Sequence, residues 1–122
     1  MKYLKHWLPA ILWACFIFYM SSIQGTQLPS IPLSDKIIHA IVYLVLGFFT
    51  ARALVRAHNL SLWPVIFTAS MLAGIYGMTD EIHQMFVPTR TAEMFDLLSD
   101  FAGGFMGAFI YGYFLSAPKK GS

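Results

Sequence analysis

Long uncharged stretches alternate with short groups of charged residues along this chain. The uncharged runs cover residues 6–34, 37–51, 57–79 and 101–118. A helix needs about 20 mostly apolar residues to cross the hydrocarbon core of a bilayer. The first and third runs are long enough alone, and the second and fourth become so when they extend into a flanking charged stretch. The extension of the second run places Arg52 where it can reach toward the interface. The pattern predicts four membrane-spanning helices, at about 5–22, 36–56, 61–81 and 94–115.

The composition supports a membrane protein. Hydrophobic residues make up 57% of the 122 residues and charged residues only 11%, whereas an ordinary soluble domain has about 25% charged residues. So few charges do not cover the surface of a small soluble protein, and so high a hydrophobic content excludes disorder. A net charge of +2 provides no basic face for nucleic acid. We predict one domain over residues 1–122, an all-α transmembrane four-helix bundle.

The first apolar run has an alternative interpretation as a signal peptide, because Lys2 and Lys5 precede it. The apolar stretch continues to Met20, which is long for the core of a signal peptide. The residues that follow, from Ser21 to Gln24, form a poor cleavage site. We therefore interpret this run as a retained helix.

The charges also predict how the helices are oriented. Four spans that cross the membrane in alternating directions place both chain ends and the turn at 57–60 on one side. That side carries six of the eight basic residues, and the other side carries all six acidic residues. By the positive-inside rule the basic side is cytoplasmic. We predict cytoplasmic N- and C-termini and a solvated His58 in the cytoplasmic turn.

Polar residues therefore gather at the outer ends of three helices. They are Asp35, Lys36, His39 and Tyr43 on the second helix, Asp80, Glu81, His83 and Gln84 on the third, Asp96 and Asp100 on the fourth, and Arg90 in the preceding loop. His39 and Asp100 lie about 6 Å deeper than the first acid of their helices. A charged group at such depth is costly and usually faces the bundle interior. Gly103 and Gly107 continue the face of Asp100 and permit close approach of another helix.

These residues resemble the motifs of the VanZ-like family. Asp35-Lys36-Ile37-Ile38-His39 with Tyr43 and Gly47 is similar to the motif of its second helix. The segments 80–84, 88–90 and 96–103, followed by Gly107, are similar to the rest of its core. The resemblance covers roughly residues 34–112 and leaves the first helix outside. Thr89 stands where the family usually has Gly, and Asp100 where it usually has Asn.

The resemblance implies a multi-pass protein of the bacterial cytoplasmic membrane. The family is named after a member that lowers susceptibility to the glycopeptide teicoplanin. We expect an outward-facing pocket that binds, and in one version of the hypothesis modifies, a membrane lipid or envelope amphiphile with an anionic headgroup. The candidate catalytic residues are Asp80, Glu81 and His39, and the candidate binding residues are Asp35, Lys36, Tyr43, Gln84, Arg90, Asp96 and Asp100.

Several alternatives to a catalytic or binding site stay open. In a structural alternative, Asp35, Lys36 and Arg90 pair with Asp96 and Glu81 only to fix the helix ends. A metal site is not expected, because the acid and histidine spacing matches no known metal motif. Proton translocation is disfavoured, because the inner half holds no ionisable groups beyond Arg52 and Arg56. We expect no cofactor and no nucleic-acid partner, and self-association into a homo-oligomer stays open.

Overall fold

A computed structural model describes residues 3–22, 35–87 and 94–115 of the chain, and these residues form helices and no strands. Helix α1 spans Leu4–Ser22, α2 spans Asp35–His58, α3 spans Leu62–Gln84 and α4 spans Met94–Phe109. A π-helical segment, Ile110–Leu115, continues α4. All four predicted helices are therefore present. The connections at 23–34 and 88–93 lie outside the described residues.

The turn between α2 and α3 shows how the chain reverses. Asn59 adopts a left-handed conformation, with φ of 59°, and its backbone N–H donates to the Val55 carbonyl. Asparagine tolerates this conformation better than most residues, so it ends a helix well. Pro64 lies in the first turn of α3, where its missing N–H has no intrahelical partner to lose.

Contacts between helix ends show that neighbouring helices run in alternating directions. The end of α1 contacts the end of α3 through Ser21 and His83, and the start of α1 contacts the end of α2 through Trp7 and His58. The start of α2 lies against the start of α4, where His39 meets Asp100. Helices α2 and α4 are therefore parallel, as are α1 and α3.

The closest packing joins α2 to α4 through glycine. A Cβ atom added to Gly103 would meet the Ala40 carbonyl oxygen, and one added to Gly107 would meet the Leu44 carbonyl oxygen. Small residues with this spacing allow helix backbones to touch, a common way for membrane helices to associate. The predicted close approach at Gly103 and Gly107 is confirmed.

Two hydrogen bonds near the middle of helix α1 join it to α2 and α3. The Trp13 indole donates to the Val42 carbonyl on α2, and the Tyr76 hydroxyl on α3 donates to the Ala14 carbonyl. Buried aliphatic and small residues fill the space between the helices, among them Ile17 and Leu46 in one group. A second group lies toward the opposite end and comprises Ala51, Leu54, Val65, Ala69, Ala108 and Tyr111.

Large apolar side chains cover the outside of the bundle, while many interior positions are alanine or glycine. Phe67 on α3 is 68% exposed and Leu12 on α1 is 60% exposed, whereas Ala69 and Ala108 are fully buried. Helices α2, from Ile37 to His58, and α3 are long and apolar enough to cross a membrane. Small residues inside and large apolar residues outside are the distribution expected of helices packed in lipid.

Candidate functional site

The deepest polar contact of the site joins α2 to α4. His39 Nδ1 lies 2.9 Å from Asp100 Oδ1, and both side chains are shielded, with 12% and 1% of their surfaces exposed. The two residues lie 61 positions apart in the chain. His39 lies four residues after the first residue of α2, and Asp100 lies six residues after the first residue of α4. Parallel packing of the two helices brings these positions level.

Helix α3 adds a third ligand-type side chain to this contact. Glu81 is 8% exposed, and one polar atom from each of His39, Glu81 and Asp100 lies within 4.8 Å of the other two. The three residues come from three different helices. We call His39, Glu81 and Asp100, together with the adjoining Tyr43 and Asp80, the buried polar cluster.

Tyr43 and Asp80 complete this cluster. Tyr43 lies one helical turn beyond His39 and is only 1% exposed, and its hydroxyl is close enough to interact electrostatically with Asp80, Asp100 and Glu81. Among the described residues this hydroxyl has no hydrogen-bond partner. Asp80 is 5% exposed, and Gln84, one turn further along the same face of α3, is 2% exposed. Polar residues that end an apolar run in the sequence are thus turned inward.

Glycine makes room for the carboxylate of Asp100 on its α3 side. A Cβ added to Gly77 would lie 2.8 Å from Asp100 Oδ2 and 2.9 Å from Asp100 Cβ. Such distances are too short for ordinary contact, so no larger residue fits at Gly77 unless Asp100 moves. Helix packing therefore fixes Asp100 on two sides, by His39 and by the backbone at Gly77.

His83 is at the same end of the bundle but faces a different helix. Its ring stacks on Phe18 with centroids 4.2 Å apart, and its Nδ1 and Nε2 atoms lie 3.3 Å and 3.4 Å from the hydroxyls of Ser21 and Ser22. His83 therefore connects α3 to α1 and lies apart from the polar cluster. Nothing in the local sequence marked Ser21 or Phe18 as its partners.

Four of the predicted site residues are not described at the level of their side chains. Asp35 and Lys36 belong to the first turn of α2 and Asp96 to the first turn of α4, but their side chains lie outside the described part. Arg90 lies in the undescribed connection 88–93. The ion pairs that the structural alternative assigns to these residues stay predictions.

At the opposite end of the bundle, the start of α1 contacts the end of α2. His58 is exposed there, as predicted; its ring also stacks on Tyr3 with centroids 4.9 Å apart, and its Nε2 accepts a hydrogen bond from the Trp7 indole at 2.9 Å. Nearby, Arg56 Nε lies 3.5 Å from the Tyr111 hydroxyl. The prediction of a solvated His58 agrees with its exposed position, and the contacts with Tyr3 and Trp7 show in addition that the start of α1 folds across the end of α2.

The fold and cluster together define a small helical protein with two membrane-length helices and a buried group of acids and histidine near one end. A model of the VanZ/LLP1 family matches residues 6–115. The chain therefore belongs to the VanZ/LLP1 family. No curated protein and no solved structure is significantly similar to the chain.

The family match is longer than the resemblance found in the sequence motifs. It begins at residue 6 and so includes nearly all of α1, which the motifs had left outside. The match agrees with the hydrogen bonds that tie α1 to α2 and α3. Family membership and the two apolar helices together indicate a membrane protein.

Proposed function

We propose that this chain is a multi-pass protein of the bacterial cytoplasmic membrane, with all four helices spanning the bilayer as one domain. The basic residues at the chain ends and near the α2–α3 turn favour a cytoplasmic position for both termini. In this orientation the buried polar cluster faces the outer side of the membrane. The exposed apolar side chains of α1 and α3 support an environment of lipid around the bundle.

At the outer end, the polar cluster would be the floor of a pocket for the anionic headgroup of an envelope lipid or other amphiphile. The observation that supports this proposal is the convergence of His39, Glu81 and Asp100 from three helices within 4.8 Å. Lys36 and Arg90 are the cations available near the same helix ends. A guanidinium such as that of Arg90 binds a phosphate or carboxylate through two parallel hydrogen bonds.

The same residues offer chemistry as well as binding. A histidine that is hydrogen-bonded to a buried carboxylate, as His39 is to Asp100, is oriented for proton transfer. Asp80 and Glu81 are further candidate bases. We propose these three residues, Asp80, Glu81 and His39, as those that would act if the bound headgroup is modified, and Tyr43 and Gln84 as residues that would orient it.

The experiment that tests headgroup binding is native mass spectrometry of the protein purified from bacterial membranes in mild detergent. The expected result is a co-purifying amphiphile of defined mass that is lost in His39→Gln. The matched control is His83→Gln, which changes the same residue type at the same end of the bundle but outside the cluster. An unmutated protein that carries only a statistical mixture of bulk lipids would contradict the proposal.

Family membership also suggests a role in glycopeptide resistance. We expect expression of the chain to raise the teicoplanin concentration that a susceptible bacterium tolerates, and His39→Gln to remove this effect while His83→Gln keeps it. Lipid analysis of membranes with and without the protein would then identify the altered component. Unchanged susceptibility on expression of the folded protein would argue against this role.

The rival proposal is a non-catalytic interaction protein whose polar cluster only holds helices together. The hydrogen bond from α2 to α4 through His39 and Asp100 favours it. The two proposals differ in what the variants lose. A binding site predicts that cluster variants fold and lose their ligand, whereas the structural role predicts that they lose folded protein.

A further inference from the structure

We propose that His39, Glu81 and Asp100 bind a divalent first-row transition-metal ion, of the Zn²⁺ class, inside the bundle. One imidazole nitrogen and two carboxylate oxygens form the ligand set, and these atoms lie within 4.8 Å of one another. No single helix carries two of them, so the spacing of residues along the chain shows no metal motif. This proposal replaces the expectation that no metal is bound.

The distances are close to those that coordination needs. With metal–ligand bonds of about 2.1 Å, the ligand atoms of a tetrahedral ion lie roughly 3.4 Å apart. His39 and Asp100 are already in contact at 2.9 Å, and the Glu81 oxygen lies within 4.8 Å of both, so the three ligand atoms need shifts of roughly 1 Å to reach this spacing. The ion would replace the hydrogen bond between His39 and Asp100 with two metal–ligand bonds.

The chemistry of the ligands selects the class of metal. Mg²⁺ and Ca²⁺ prefer sites made only of oxygen ligands, whereas an imidazole favours Zn²⁺ and its first-row neighbours. Two buried carboxylates with a neutral imidazole supply two negative charges, which a divalent cation balances. Such neutralisation stabilises the site, because a buried charge without an opposite charge nearby costs folding free energy.

Tyr43 provides an independent observation that points to a ligand at this position. Its hydroxyl is buried, has no hydrogen-bond partner among the described residues, and interacts electrostatically with Asp80, Asp100 and Glu81. Buried hydroxyl groups are nearly always hydrogen-bonded. A water molecule or ligand oxygen on the metal would give Tyr43 the partner that the described residues do not supply.

Three protein ligands leave at least one coordination position for a small molecule. Water would occupy it in the resting protein, and an anionic headgroup oxygen would replace the water. This role for the ion rests on the proposed function, but binding of the ion itself does not. A metal would also explain how a pocket lined by acids accepts an anion, since the ion reverses the local charge.

The test uses the untagged full chain, purified in detergent and stripped of metal with a chelator. Calorimetric titration with Zn²⁺ is expected to give one ion per chain, and His39→Gln, Glu81→Gln and Asp100→Asn are each expected to weaken binding at least tenfold. Mg²⁺ should bind far more weakly than Zn²⁺. Because no lipid is added, failure of headgroup binding does not affect this result, and failure of Zn²⁺ binding leaves headgroup binding to be tested separately.

Two matched controls separate the assigned ligands from their surroundings. His83→Gln removes a histidine at the same helix end, and Thr79→Ala changes an exposed residue of α3 near Glu81; both should keep affinity within about threefold. The assignment is overturned if the unmutated protein binds no Zn²⁺, if Mg²⁺ binds equally well, or if either control loses as much affinity as the ligand variants.

A second measurement needs no variant. Co²⁺ added to the unmutated, metal-free protein should develop visible absorption of the kind given by low-coordinate sites, and added Zn²⁺ should remove it. The spectrum of hydrated Co²⁺ alone would overturn the proposal even if a ligand variant fails to fold.

Discussion

Replacing Asp100 by Asn and by Leu separates its hydrogen bond from its charge. Asp100 is fully buried and accepts a hydrogen bond from His39 Nδ1 at 2.9 Å when that nitrogen carries the proton. Asn has nearly the same shape and keeps one carbonyl oxygen as acceptor. Leu has a different shape and offers no acceptor, so it leaves His39 with an unsatisfied donor.

The expected losses of unfolding free energy follow from these contacts. Asp100→Asn exchanges a charge-assisted hydrogen bond for a neutral one, which costs about 1 kcal/mol. In Asp100→Leu the unsatisfied donor costs about 1–3 kcal/mol. Overpacking against Gly77, whose added Cβ would already lie 2.8 Å from Asp100 Oδ2, costs about 1–3 kcal/mol more. The Leu variant should therefore be less stable than the Asn variant by about 1–5 kcal/mol.

The assay is chemical unfolding of the metal-free protein in detergent, followed by tryptophan fluorescence. Trp13 reports directly on α1–α2 contact, because its indole donates to the Val42 carbonyl. Thr79→Ala is the control, because Thr79 is exposed and bonds only within its own helix, so its effect should stay within about 0.5 kcal/mol. If Asp100→Asn is as damaging as Asp100→Leu, the charge itself holds the helices together and the structural alternative is correct.

Three further predictions test the topology, the anion site and the packing. Cysteine introduced at Thr89 should react with an impermeant reagent added outside cells and cysteine at Asn59 should not; the reverse pattern would refute the orientation. Arg90→Lys keeps the charge but loses the planar fork, so unfolding free energy should change by less than about 1 kcal/mol while headgroup binding falls at least tenfold. An Arg90→Lys variant that binds the headgroup normally, or that does not fold, would contradict a binding role for Arg90. Gly103→Ala should destabilise the bundle by about 1–3 kcal/mol, because its Cβ would meet backbone atoms of α2. Gly112→Ala should cost less than about 1 kcal/mol, because its Cβ would meet only side-chain atoms of Leu62 and Ile66, the nearest at 3.2 Å. Equal losses in unfolding experiments would contradict the close α2–α4 contact.

The helix positions could be predicted from the sequence because charged residues bound the apolar runs. The largest difference lies at the end of α3, which continues to Gln84 instead of ending near residue 81. Asp80, Glu81 and Gln84 are polar, and in the sequence they look like the end of a span. Their side chains are buried between helices, and α3 includes all three of them. Nothing in the sequence marked the change to π-helix at Ile110.

Part of the candidate site was also predictable, namely the inward orientation of His39 and Asp100. Depth alone gives this result, since an ionisable group inside a span is costly unless it faces other helices. Their direct contact was not predictable, because it depends on how far α2 and α4 are shifted relative to each other along their axes. The two residues are separated by 61 positions in the sequence, and no sequence pattern indicates that shift. The partners of His83 and His58 were not predictable for the same reason. Both histidines contact α1, a helix without charged motifs in its apolar stretch.

The packing of α2 against α4 bears on whether the polar cluster is structural or functional. Gly103 and Gly107 bring the α4 backbone against the carbonyl groups of Ala40 and Leu44, one to two turns below the cluster. These contacts join backbone atoms of the two helices and are separate from the hydrogen bond between His39 and Asp100. The backbone contact fixes the positions from which both side chains project. Side chains positioned in this way by packing are what a binding or catalytic site requires, and this favours a functional role for the cluster over a purely structural one.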